Sequence, residues 1–202
     1  MQHPTRRQLL AAGFAGTVIG LSGARSVAAG TTPPADEPTT TTTPTRPTAS
    51  DLVLLQFGYS AELSATDLYQ AALDAGAEDE LVVVLRNNHR AYADILRAIL
   101  STSVVDRREE SLFDEYASAF EEPDLATLAS TAYDLESSLV ATHTEQLRSL
   151  QNVDGARRIA SILIVEARHC TVLADAAGLG DDLDALFVND ADPLPVGQSS
   201  GG

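Results

Sequence analysis

Apolar residues recur every three or four positions in four separate stretches of the chain, including Leu55, Tyr69, Leu85, Leu96, Leu128, Leu139, Ile162 and Leu173. Such spacing lines one face of a helix, so each stretch is predicted to form an amphipathic α-helix. The first helix is expected to begin near Ser50 or Asp51, the third at Pro123, and the fourth after Asp154 as its cap. No comparable stretch alternates with a period of two. The pattern therefore predicts an all-α protein.

The lengths of the connections predict how these helices are arranged. The links over residues 74–79 and 151–154 are short, so helices one and two should form one antiparallel hairpin, and helices three and four another. The link over residues 101–122 is long enough to cross the bundle, and residues 112–116 within it are predicted to form a short helix. Two hairpins joined by one long crossover correspond to a ferritin-like four-helix bundle.

Each apolar stripe also contains a polar side chain that is able to bind a metal. These residues are Glu62, His89, Glu136, Glu166 and His169. Their recurrence in every stripe predicts one internal site where the four helices meet. An unpaired carboxylate in such a core costs several kcal/mol, so metal, a histidine partner or protonation must compensate. Without metal, crowding and burial should raise the pKa of at least one of the glutamates.

Nearby residues are expected to have supporting roles. His143 lies two turns after Glu136 on the same face, and is expected to assist the ligands rather than to bind the ion itself. Tyr59 and Tyr69 are predicted to be core aromatics. Cys170 follows His169 and points about 100° away from it, so this lone cysteine is expected to be an inert packing residue.

The ends of the chain differ in composition from its middle. Residues 1–29 have the features of a twin-arginine signal peptide: Arg6 and Arg7, an apolar run over residues 11–21, and small residues before a cleavage site. Residues 30–50 are rich in Thr and Pro and are predicted to form a disordered linker, and residues 190–202 a disordered tail. The remaining domain spans residues 51–189. Export to the periplasm, cell envelope or extracellular space is therefore expected, with a retained signal acting as an anchor as the alternative.

Acidic residues dominate the charge of the chain. It contains 29 Asp and Glu residues against 13 arginines and no lysine, giving a formal net charge of −16. Removal of the signal would take away three arginines and leave a net charge near −19. Such a body repels nucleic acids and anionic lipid surfaces, so neither is expected as a partner, and membrane insertion of the mature domain is not expected.

The residues described above make the stretch from Asp51 to about Ala177 resemble the ferritin-like superfamily. The resemblance is specifically to exported bacterial ferritin-like domain proteins with a twin-arginine signal. The pattern of that family has a glutamate on helices one and three, which Glu62 and Glu136 match. It also has an E-x-x-H motif on helix four, matched by residues 166–169, whose spacing places both side chains on one helix face.

Helix two departs from the family pattern. His89 stands where the E-x-x-H motif should have its glutamate, and Tyr92 stands where it should have its histidine. The resemblance therefore implies a partly degenerate site for one or two iron or manganese ions, with Tyr92 a doubtful ligand.

Two functions remain open at this point. One is a metal-binding, oxidase-like protein, since ligands rich in carboxylate suit iron or manganese. The other is a metal-free helical module tethered at the cell envelope by its linker, which acts through binding or structure. The altered motif on helix two favours the second, whereas the intact motif on helix four and the predicted export route favour the first. No catalytic residue, organic cofactor or protein partner is indicated.

Overall fold

The computed structural model describes residues 46–196, and these form six α-helices and a short 3₁₀ turn without any strand. The helices are α1 (Ala49–Asp74), α2 (Glu80–Leu100), α3 (Glu110–Phe120), α4 (Leu125–Ser149), α5 (Val153–Ala176) and α6 (Leu183–Phe187). The prediction of an all-α protein is confirmed. The predicted signal peptide, and the predicted linker up to residue 45, lie outside the described residues.

Two helical hairpins make up the bundle. Helix α1 packs extensively against α2, and α4 packs extensively against α5, each pair across a short connection. The long link between the hairpins contains α3, which packs against both α1 and α4. This is the predicted crossover, and its helix is longer than the expected residues 112–116.

The starts of the helices differ from the predicted ones because other residues act as caps. Thr48 caps α1: its Oγ1 accepts a hydrogen bond from Asp51 N at 3.2 Å, and its own N donates to Asp51 Oδ2 at 2.8 Å. This reciprocal capping box replaces the expected cap at Ser50 or Asp51. Helix α4 is capped by Asp124, the residue after the predicted Pro123. Asn152, rather than Asp154, caps α5.

The interior consists of two apolar clusters with a polar layer between them. The first cluster includes Leu68, Leu85, Phe120, Leu135 and Leu173, and the second includes Leu55, Tyr59, Leu96, Ile159 and Ile162. Along α1, α2 and α5, the two clusters are separated by buried polar residues, namely Glu62, His89, Glu166 and His169. The periodic apolar residues therefore form two hydrophobic clusters, one at each end of the bundle. The polar residues lie in a layer between these clusters.

The chain after α5 runs back along α4. Tyr133 Oη donates a hydrogen bond to the carbonyl of Ala185 in α6 at 3.0 Å, and Asn189 Nδ2 donates to the carbonyl of Ser137 at 2.9 Å. Further on, Leu194 N donates to Thr142 Oγ1 at 2.8 Å. Part of the segment expected to be a disordered tail therefore contacts the bundle, one residue away from His143.

Candidate metal centre

All five residues predicted as ligands meet in the polar layer. Glu62 on α1, His89 on α2, Glu136 on α4 and Glu166 on α5 have no exposed surface, and His169 on α5 is 6% exposed. Each lies in the interior because it stands on the same face of its helix as the neighbouring apolar residues. The expectation that the four helices share one internal cluster is confirmed.

The His89 ring links two of the carboxylates. Its Nδ1 lies 2.8 Å from Glu62 Oε2, and its Nε2 lies 2.7 Å from Glu136 Oε1. Glu136 has two further partners: Tyr69 Oη donates to Oε1 at 2.7 Å, and His169 Nδ1 lies 3.1 Å from Oε2. Helices α1, α2, α4 and α5 are thus joined through one chain of hydrogen bonds across the core.

His143 belongs to the layer itself, which corrects the supporting role expected from the sequence. Its Nε2 lies 2.9 Å from Glu62 Oε1 and 3.3 Å from Glu166 Oε1. Its Nδ1 is 2.8 Å from Gln146 Oε1. The only signal in the sequence was its position two turns after Glu136. That spacing does not show that carboxylates of α1 and α5 lie at the same height in the bundle as His143.

Glu166 has an unusual environment among these carboxylates. Both of its oxygens are buried, and neither accepts a hydrogen bond from any residue between 46 and 196. His143 Nε2 comes within 3.3 Å, but it forms its hydrogen bond with Glu62, so its contact with Glu166 is electrostatic. Leaving a buried carboxylate without hydrogen bonds is costly. Among the described residues, Glu166 is therefore the carboxylate of this layer that lacks a hydrogen bond.

The pKa of Glu166 reflects this environment. Burial raises it to about 7, and the negative charges of Glu62 and Glu136 act in the same direction, while the nearby His143 partly opposes them. The expectation that at least one glutamate has a raised pKa is confirmed. Near neutral pH, Glu166 therefore exchanges between its protonated and ionised forms.

Four other groups, Glu62, Glu136, His89 and His143, have pKa values displaced toward their charged forms. Burial alone would raise the pKa values of Glu136 and Glu62, but the surrounding histidines hold both below their usual range. Burial would lower the pKa values of His89 and His143, but the adjacent carboxylates hold both well above their usual range. In the absence of metal, the layer is an array of carboxylates neutralised by histidine side chains.

Two groups of three residues have the arrangement that a metal ion requires. One is His89, Glu136 and His169, and the other is Glu62, His143 and Glu166. In each group, one ligand atom per residue lies within 4.8 Å of the others. Imidazole nitrogen combined with carboxylate oxygen suits iron or manganese, and the unpartnered Glu166 is the kind of group that a cation would satisfy. The residues therefore fit a metal centre.

A four-helix bundle with buried carboxylate and histidine clusters defines a class of helical protein that is able to hold metal in its core. The family model of the ferritin-like domain matches residues 50–179, and the chain belongs to this family. Searches of curated proteins and of solved structures give no significant match. Among residues 46–196, none of the helices combines the length and the apolar character needed to cross a membrane.

Proposed function

We propose that the protein binds iron or manganese inside its four-helix bundle. The observation that carries the proposal concerns Glu166. Its carboxylate is fully buried and accepts no hydrogen bond from the described residues. Folding such a group into a core costs several kcal/mol, and a bound cation would offset that cost. The two groups of three residues supply the nitrogen and oxygen ligands that these metals prefer.

The surrounding residues prepare the centre for an ion. His89 Nδ1 donates to Glu62, and Tyr69 donates to Glu136, so hydrogen bonds orient both carboxylates before any ion arrives. The apolar clusters on either side keep bulk water out of the layer. A bound iron or manganese ion would supply redox chemistry toward oxygen or peroxide.

The test compares the full-length wild-type protein with Glu166→Ala, and uses Glu145→Ala on the exposed part of α4 as a matched control. Metal content and melting temperature are measured after incubation with Fe(II) under anaerobic conditions or with Mn(II). We expect metal to raise the melting temperature of wild type and of the control by mass action, and not that of Glu166→Ala. If the wild type binds neither metal and its melting temperature does not change, the proposal fails.

We also propose that the protein is exported by the twin-arginine route to the periplasm, cell envelope or extracellular space. Arg6, Arg7 and the apolar run after them support this proposal. Replacing both arginines with lysine should keep the full-length chain in the cytoplasm, which cell fractionation measures. Unchanged export of that variant would contradict the proposal.

A metal-free helical module, tethered at the cell envelope by residues 30–50, is the second candidate function. The observation in its favour is His89, whose two nitrogens contact carboxylates at 2.8 and 2.7 Å. A positively charged ring in that place neutralises two carboxylates without an ion. The metal experiment above distinguishes this candidate from the first.

A further inference from the structure

We infer that the centre holds a single metal ion, bound by Glu62, His143 and Glu166, and that the His89 ring occupies the place of a second ion. The inference rests on the proposed metal binding and goes beyond it. It assigns a ligand, His143, that the E-x-x-H pattern does not contain, and it removes His89 and His169 from the ligands.

The hydrogen bonds show which carboxylates are free. Both oxygens of Glu136 accept hydrogen bonds, from Tyr69 and His89 at Oε1 and from His169 at Oε2. Glu62 also accepts at both oxygens, from His89 at Oε2 and from His143 at Oε1. Glu166 accepts no hydrogen bond from the described residues. The free oxygen atoms therefore belong to Glu166, which His143 Nε2 approaches to 3.3 Å.

His89 can offer a lone pair to an ion only by giving up a hydrogen bond to a carboxylate. An ionised carboxylate only accepts hydrogen bonds, so both nitrogens of the ring must donate, one to Glu62 and one to Glu136. Tyr69 stacks on the ring at a centroid distance of 5.5 Å, and Tyr92 meets it edge-on at 5.8 Å. The ring is held from both sides. Its charge lies between the carboxylates of Glu62 on α1 and Glu136 on α4, and neutralises both.

His169 is also occupied. Its Nδ1 donates to Glu136 Oε2, and its Nε2 lies 3.0 Å from the side-chain amide of Asn88. Whichever way the amide of Asn88 is turned, the hydrogen must remain on Nδ1, because the carboxylate of Glu136 can only accept. An ion in the group of His89, Glu136 and His169 would therefore have to displace a hydrogen from both rings, and it would gain only one carboxylate.

The group of Glu62, His143 and Glu166 differs because it contains one ring and two carboxylates, so that only one ring hydrogen has to be displaced. Gln146 Nε2 donates to the carbonyl of Leu54 at 3.0 Å, so Gln146 Oε1 faces His143 Nδ1 and accepts its hydrogen. Gly58 leaves room for this amide, since a Cβ there would lie 3.2 Å from Gln146 Oε1. Nε2, which donates to Glu62 Oε1, is then the nitrogen that also faces Glu166.

Binding at this position is balanced in charge. A divalent cation displaces the hydrogen from His143 Nε2, which leaves as a proton to solvent, and any proton held by Glu166 leaves in the same way. The ion then faces one neutral imidazole and two carboxylates, whose charges neutralise it. This is a set of one nitrogen and two carboxylate ligands, and it suits iron or manganese.

The experiment loads the full-length chain with Mn(II) and measures the metal content per chain together with the electron paramagnetic resonance spectrum. We expect one ion per chain and the hyperfine pattern of an isolated Mn(II). Two ions per chain, or the spectrum of a magnetically coupled pair, would overturn the inference and leave the proposed function standing. No bound ion would instead remove the proposed function itself. These wild-type measurements do not depend on the folding of any variant.

A pair of matched variants then locates the ion. His143→Gln should lose at least about tenfold in Mn(II) affinity, whereas His169→Gln should retain one ion per chain. Circular dichroism melting establishes that each variant is folded. The opposite result, loss in His169→Gln and retention in His143→Gln, would place the ion in the other group and overturn the inference.

Discussion

Replacing Glu166 with glutamine should stabilise the metal-free protein at pH 8 and change its stability little at pH 5. Glutamine has nearly the same shape as glutamate, so the packing of the polar layer is preserved. The change removes only the ability of the side chain to ionise. Because Glu166 is buried and accepts no hydrogen bond from the described residues, its ionised form is the costly one.

The size of the effect follows from the pKa of this group. Folding raises the pKa of Glu166 from 4.5 to about 7. The folded protein therefore holds a proton that the unfolded chain has already released, and the stability this provides is lost as the pH rises through about 7. Integrated over this range, the loss amounts to about 3 kcal/mol at pH 8 and less than about 1 kcal/mol at pH 5. Glu166→Gln should recover those amounts, since glutamine stays neutral.

Urea unfolding followed by far-ultraviolet circular dichroism measures this difference at both pH values, in the presence of a chelator. The helical signal suits the purpose because the chain contains no tryptophan. Glu136→Gln is the matched control, since Glu136 accepts hydrogen bonds from Tyr69, His89 and His169. The control should lose about 3 kcal/mol or more at pH 8. If Glu166→Gln is destabilised at pH 8 as the control is, the view of Glu166 as an unpartnered carboxylate is wrong.

Three further predictions concern the surroundings of the layer. Asp51→Ala should destabilise the fold by about 2 kcal/mol in thermal melting. The reason is that Asp51 closes the capping box of α1 and also accepts a hydrogen bond from Gln151 N at 2.7 Å. An unchanged melting temperature would contradict this prediction. Tyr69→Phe should cost about 2 kcal/mol in urea unfolding through the lost hydrogen bond to Glu136, and a neutral result would mean that water replaces the hydroxyl. Burial raises the pKa of Cys170 to about 12. Iodoacetamide should therefore label this thiol in the folded protein at pH 8 far more slowly than in the urea-unfolded chain. Equal labelling rates would refute the prediction that Cys170 is an inert packing residue.

The helices and their shared layer were predictable because periodicity records burial. Glu62 and Glu166 stand at the spacing of their apolar neighbours, and this spacing places them inside. The cap of α5 was misplaced because Asn152 and Asp154 are both good capping residues. Only the fold reveals that Asn152 Oδ1 reaches Gly155 N, at 2.8 Å. The local sequence alone does not distinguish between two good capping residues that lie two positions apart.

The role of His143 was not predictable, since it depends on contacts between helices. Its partners Glu62 and Glu166 lie on α1 and α5, and a pattern along one helix contains no information about its rotation relative to another. Helix α6 was missed for a different reason. Its five residues, Leu183–Phe187, are too few to establish a period. The docking of Leu194 likewise depends on one isolated apolar residue.

The depth of the polar layer has a consequence for the timing of metal uptake. Glu62, His143 and Glu166 have no exposed surface, so an ion bound among them would enter and leave slowly, through local separation of the helices. The proposed site would then select between metals through these rates as well as through affinity. An ion bound while the chain folds would therefore be retained for a long time. If the protein is exported in a folded state, as proposed, its metal content would reflect the compartment in which it folded.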